Sequence, residues 1–196
     1  MTRFVGLTGG IGAGKSEALA AFERLGAATL STDRVAHDLL DDDEVRAGLI
    51  ERWGEKIAPD GRIDRDLVGE IVFNDPEQLA WLESVTHPRV GAHVLDWRRK
   101  LGPDVRVAVV EVPLLFEAAM DDAFDATVAV VAADELRDAR LRERGQGGLE
   151  GREARQLDQD EKARRADHVI RNDASLEELE SEVKRVIEQL TGEEDE

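Results

Sequence analysis

The chain of 196 residues contains no cysteine, which excludes disulfides and thiolate metal sites. No apolar run approaches the roughly 18 residues that a membrane span requires. No signal-peptide pattern is present either, because residues 1–8 lead straight into a strand. A cytoplasmic protein with no membrane partner is therefore expected. Lysine is scarce: of 26 basic residues only Lys15, Lys56, Lys100, Lys162 and Lys184 are lysines, against 44 acidic residues and a formal charge of -18. That charge argues against a general nucleic-acid binder, since phosphate backbones would be repelled everywhere but at local basic patches. The bias suits either a high-salt organism or an ordinary acidic cytosolic enzyme. Internal repeats and low-complexity linkers are also missing, and His37, His93 and His168 form no metal-ligand spacing.

What the chain does have is Gly9-Gly10-Ile11-Gly12-Ala13-Gly14-Lys15-Ser16, a full match to the phosphate-loop pattern G-x-x-x-x-G-K-S/T. Before it, Arg3 to Thr8 reads as a short buried strand; after it, Glu17 to Leu25 has the apolar spacing of an amphipathic helix ending at Gly26. Glycines let successive amides turn toward one anion, and the helix adds its positive end. Lys15 is then placed to reach the β- and γ-phosphates of a nucleoside triphosphate, and the Ser16 hydroxyl to coordinate Mg²⁺.

Strands are expected at about 3–8, 27–31, 105–112, 126–132 and 167–170, mostly as continuous apolar runs with helical segments between them. The expected fold is α/β, a doubly wound five-stranded parallel sheet, in one compact domain. Its nucleotide-binding core would comprise 1–33 and 101–196. Residues 34–100 read as a helical insertion broken by Gly54, Pro59-Asp60-Gly61, Pro76 and Pro88, with Trp53, Trp81 and Trp97 either packing its core or stacking on a base. A helix is expected from Ser175 to Leu190.

In such folds ligands gather at the carboxyl ends of the strands. Asp33, after the second strand, either orients an acceptor hydroxyl as a general base or, with Thr32, caps a helix starting near Val35. Pro113, Leu114, Leu115, Phe116 and Glu117 form either a wall of a substrate cleft or a plain strand-to-helix connection. Glu111, ending the third strand, resembles an acid that holds Mg²⁺ through water. Arg140 and Arg144, four apart on one helix face, either grip a triphosphate or are solvated, whereas Arg137 and Arg142 are expected to point elsewhere. The glycine-rich run from Gly145, with Arg152 and Arg155 beyond, suggests a lid over 145–156. His87-Pro88-Arg89 offers either a substrate contact or a histidine before a helix-opening proline.

Taken together these pieces resemble the dephospho-coenzyme A kinase family nearly from end to end. The likeness rests on Leu7 to Ser16, on Asp33 with Ala36-His37, on His87-Pro88, on Pro113 to Glu117, on Arg140 and Arg144, and on Ala166 to Ile170 leading to Asn172. It implies ATP-dependent, Mg²⁺-requiring transfer to the ribose 3′-hydroxyl of dephospho-coenzyme A. By this likeness Asp33 is the base, Lys15 and Arg140 are phosphate clamps, and Gly9 to Glu17, Arg140 and Arg144 contact the nucleotide. Thr8, Asp33, His87, Pro113, Leu114, Leu115 and Glu117 contact the acceptor, and 34–100 forms much of the coenzyme A-binding part. Gln156 resembles the glutamine that follows the lid. The chain departs from the family in having Glu17 where Thr is common, and a shorter, more glycine-rich segment from Gly145 to Gln156. Other readings are a nucleoside-monophosphate or small-metabolite kinase, and a regulatory ATP-binding module; the absence of an Asn/Thr-Lys-x-Asp motif disfavours a GTPase. A monomer is the default expectation.

Overall fold

In the computed structural model, residues 1–143 and 156–192 are described. The chain divides into two compact units, Met1–Ser31 with Lys100–Glu196, and Thr32–Arg99. The first contains a five-stranded sheet, β1 (Arg3–Gly9), β2 (Ala28–Ser31), β3 (Val107–Glu111), β4 (Ala126–Val131) and β5 (His168–Arg171). Its order is β2-β3-β1-β4-β5 and every pairing is parallel. β1 is central, with Leu7 beside Glu111 on one side and Val128 on the other.

Side chains alternate across β1, so its two faces meet different partners. Val5 and Leu7 join Val109, Val130, Phe22 of α1 (Lys15–Arg24) and Val183 of α8 (Leu176–Thr191) in the larger core. Phe4 stacks on Phe124 at 4.9 Å between ring centroids, and a side chain at Gly6 would strike Phe124 and Leu115. Thr8, on that same face, meets Lys162 of α7 (Gln159–Arg165). Helices on both faces explain why β1, β3 and β4 are largely apolar and buried along their length rather than alternating. α8 starts in a capping box between Ser175 and Glu178 and buries Leu179, Val183, Val186 and Leu190 at helical spacing.

The second unit consists of α2 (Thr32–Leu39), α3 (Asp43–Trp53), α4 (Arg65–Asn74) and α5 (Pro76–Arg99). Its core gathers Leu40, Val45, Leu49, Ile57, Ile63, Val68 and Val72, with Trp53 and Trp81 packed against them edge to face at 5.2 Å. The Trp53 indole N–H donates to Gln78 at 2.9 Å, giving the polar edge its partner. Asp42 and Asp64 cap α3 and α4 through their side chains.

Two expectations need correction here. α2 starts at Thr32 rather than near Val35, so Asp33 stands in the first turn and does not precede the helix as its cap. Pro88 does not open a helix but lies inside the 24-residue α5. A proline there removes one backbone donor and crowds the carbonyl four residues back. Around it side chains serve the carbonyls, with Thr86 donating to Leu82 at 2.9 Å and Arg89 to Val85 at 3.0 Å.

Candidate active site

The phosphate loop leaves β1 at Gly9 and enters α1 at Lys15. Its shape depends on the lack of side chains. Gly14 has φ +92°, and a Cβ there would lie 2.1 Å from the Asn172 amide nitrogen. A Cβ on Gly9 would lie 2.3 Å from the Val130 carbonyl oxygen. Gly14 is also the residue before the first turn of α1 and offers no side-chain cap, which leaves the helix's first amides to an outside anion. Lys15 curls back so that its ammonium donates to the Gly9 and Gly10 carbonyls at 3.2 and 3.1 Å. Ser16, next in the first turn, is exposed.

A second layer holds the loop from outside, and the sequence reading missed most of it. Asn172, just beyond β5, donates to the Ala13 carbonyl at 2.9 Å. Arg140 of α6 (Asp134–Glu143) reaches the Asn172 carbonyl at 2.9 Å and those of Gly12 and Ala13 at 3.4 Å. Arg137 does not point away as expected. Its guanidinium donates to the Ile11 carbonyl at 2.8 Å and pairs with Asp134 at 2.9 Å. Three residues separate Arg137 from Arg140, so both share the face turned to the loop. Gln159 clamps Ala132 through both backbone groups and lies against Gly10.

The expected acceptor-side residues divide between the two units. Thr8, Pro113, Leu115 and Glu117 come together on the face of the sheet beneath the loop. The Thr8 hydroxyl donates to the Pro113 carbonyl at 3.2 Å, and Leu115 is fully buried. Lys162, whose side chain is 0% exposed, donates to that same carbonyl at 2.6 Å and pairs with Glu117 at 3.0 Å. Burial lowers the ammonium's pKa from the ordinary lysine value, while Glu117 pulls it back. Glu117 also accepts from the Leu157 amide at 2.7 Å. Leu114 lines the same turn, half-buried. Asp33 and His87, both exposed, belong to the helical unit, on α2 and α5. The side chain of Glu17, a residue expected at the nucleotide, pairs with Arg24, which also holds Glu180. Arg144 and the expected lid up to residue 155 lie outside the described residues.

No group of three or more His, Asp or Glu side chains suited to a metal occurs among the described residues. None of the described helices is long and apolar enough to cross a membrane.

A sequence model of the family described as dephospho-CoA kinase matches residues 3–178. The chain belongs to the dephospho-CoA kinase family. It is 39% identical over 184 residues to a dephospho-CoA kinase of Streptomyces avermitilis, covering 91% of this chain and 89% of that one. With a dephospho-CoA kinase of Chlorobaculum tepidum it shares 37% over 195 residues, covering 95% and 94%. The solved dephospho-CoA kinase of Campylobacter jejuni superposes with a TM-score of 0.71 at 29% identity, covering 98% of each chain. Membership in the dephospho-CoA kinase family makes the chain a kinase, and with its phosphate loop a user of ATP.

Proposed function

We propose that the chain transfers the γ-phosphoryl group of ATP to the ribose 3′-hydroxyl of dephospho-coenzyme A, giving coenzyme A and ADP. The observation that carries this is the phosphate loop, its Gly14 too close to Asn172 for any side chain, in a chain matching dephospho-CoA kinases along its length. Loop amides and the Lys15 ammonium would bind the β- and γ-phosphates, exchanging Lys15's carbonyl contacts for phosphate oxygens. Arg140 would add positive charge from the loop's flank and stabilise the departing ADP.

The donor set suits Mg²⁺. That ion keeps several waters and takes one or two protein oxygens plus substrate phosphates, so one exposed hydroxyl, Ser16, is enough. When bound, it would neutralise charge on the transferring group. Asp33 would hold the 3′-hydroxyl and accept its proton, and residues of 34–100 with the Pro113–Glu117 turn would bind the rest of the acceptor.

The test is ADP release from Mg²⁺-ATP with and without dephospho-coenzyme A, with the product weighed by mass spectrometry. Strong acceptor dependence and a gain of one phosphate are expected. Release that ignores dephospho-coenzyme A but responds to a nucleoside monophosphate or another small alcohol would replace this acceptor with that one.

A further inference from the structure

Lys162 is the largest charged side chain wholly withdrawn from solvent among the described residues, and the phosphate chemistry above does not use it. A buried ammonium is costly unless paired and hydrogen-bonded. Here it spends its donors on three chain segments at once. They are the Thr8 hydroxyl at 3.4 Å, one residue before the phosphate loop; the Pro113 carbonyl at 2.6 Å, opening the turn after β3; and Glu117 at 3.0 Å, closing that turn. Glu117 passes the linkage on to the Leu157 amide. A brace meant only for stability ordinarily has its buried acceptors paired with donors. Yet Glu117 Oε2 and Gln156 Oε1 are both buried and lack a hydrogen-bond partner among the described residues.

We infer that the Lys162–Glu117 pair is a positioning device for the reaction, fixing the Pro113–Glu117 turn against the strand that delivers the phosphate loop. It thereby keeps the acceptor's binding wall in register with the transferred phosphoryl group. The inference rests on the functional reading above, in which that turn contacts the acceptor. The Glu117 oxygen without a partner among the described residues is then the place where a donor on the bound substrate, or a water, completes the network.

Lys162→Met alone strands a buried carboxylate and should lower the melting temperature. Adding Glu117→Gln removes that charge while retaining an oxygen for Leu157, and should restore the melting temperature. In this double variant kcat/KM for dephospho-coenzyme A should stay on the order of 100-fold below wild type, the usual cost of a misplaced acceptor. KM for ATP should remain within about threefold of wild type, because the loop itself is intact. If the double variant does not fold, Glu117→Gln alone carries the test with the same split between ATP and acceptor. Recovery of both melting temperature and kcat/KM would reduce the pair to a structural ion pair and overturn the inference alone. Wild-type protein that releases no ADP in response to dephospho-coenzyme A would overturn the functional reading first, and the inference with it.

Discussion

Gly14 and Asp33 show two kinds of single-residue constraint. At Gly14 the constraint is space, since a methyl group would collide with Asn172 and break the bond that holds Ala13. At Asp33 the constraint, under the proposed function, is chemistry, because a general base must be able to take a proton. Asp33→Asn keeps the size and polarity of the side chain but removes that capacity. Turnover should fall by about 100-fold or more, whereas ATP affinity, read by nucleotide titration, should hold because the loop is untouched. A variant with near-normal turnover would remove Asp33 as the base. Lys15, Ser16 and the glycines could be read from spacing alone because the phosphate loop is one contiguous segment. Lys162, Gln159 and Asn172 could not, because their meaning comes from contacts with residues 154, 149 and 159 positions earlier in the chain. A weak signal existed: Gln159 and Lys162 lie three apart on one short helix, and such neighbours share a face.

Among the elements, the turn between α2 and α3 is held by a charge. The Asp41 carboxylate accepts from Arg62 at 3.0 Å and from the Ile63 amide at 3.1 Å, which ties the segment before α4 to the end of α2. The Arg62 hydrogen bond, then that of Ile63, holds this carboxyl below the usual aspartate range. A depressed carboxyl stabilises the fold above its unfolded value and loses that contribution as pH falls through the folded one. Asp41→Asn should therefore lower the melting temperature by about 2–4 °C at neutral pH. The gap from wild type should close as pH falls through the depressed folded-state value, below which both side chains are neutral. A gap that persists unchanged into acid would mean the carboxylate's charge contributes nothing. Most of the strands were legible because sheets covered on both faces favour unbroken apolar runs, and the ends of all five agree with the structure to within two residues. α5 was not legible as one helix, because Pro88 is a breaker by local rules, yet the helix runs unbroken through it. Arg137 was misread for a similar reason: helical spacing tells which residues share a face, and not which face turns toward the loop.

At the scale of the whole molecule the deciding quantity is net charge. At -18 over 196 residues, self-repulsion opposes the compact state. The ion pairs that could offset it are mostly exposed, such as Arg164 and Arg165 on Glu161 or Arg185 on Glu182, and pairs of that kind contribute little each. Added salt screens both, but repulsion acts over longer distances than contact pairs and summed over many charges should be the larger effect. The melting temperature should therefore rise with KCl. The shape of the rise identifies its cause. The Debye length shrinks from about 10 Å at 0.1 M to about 3 Å at 1 M, so a screening effect should be largely complete by about 0.5 M. Exclusion of salt from the protein surface would instead give a gain that keeps growing in proportion to concentration. A fall in melting temperature over the first few tenths molar would show that the exposed pairs outweigh the repulsion. Acceptor-dependent turnover measured along the same series separates the fold from the site, because in the proposed reaction the attraction of polyanionic ATP to Lys15 and Arg140 would be weakened by the same screening that stabilises the chain. KM for ATP should rise with KCl while the melting temperature rises. A KM for ATP that holds steady or falls along the series would show that the site's charges are shielded from bulk salt.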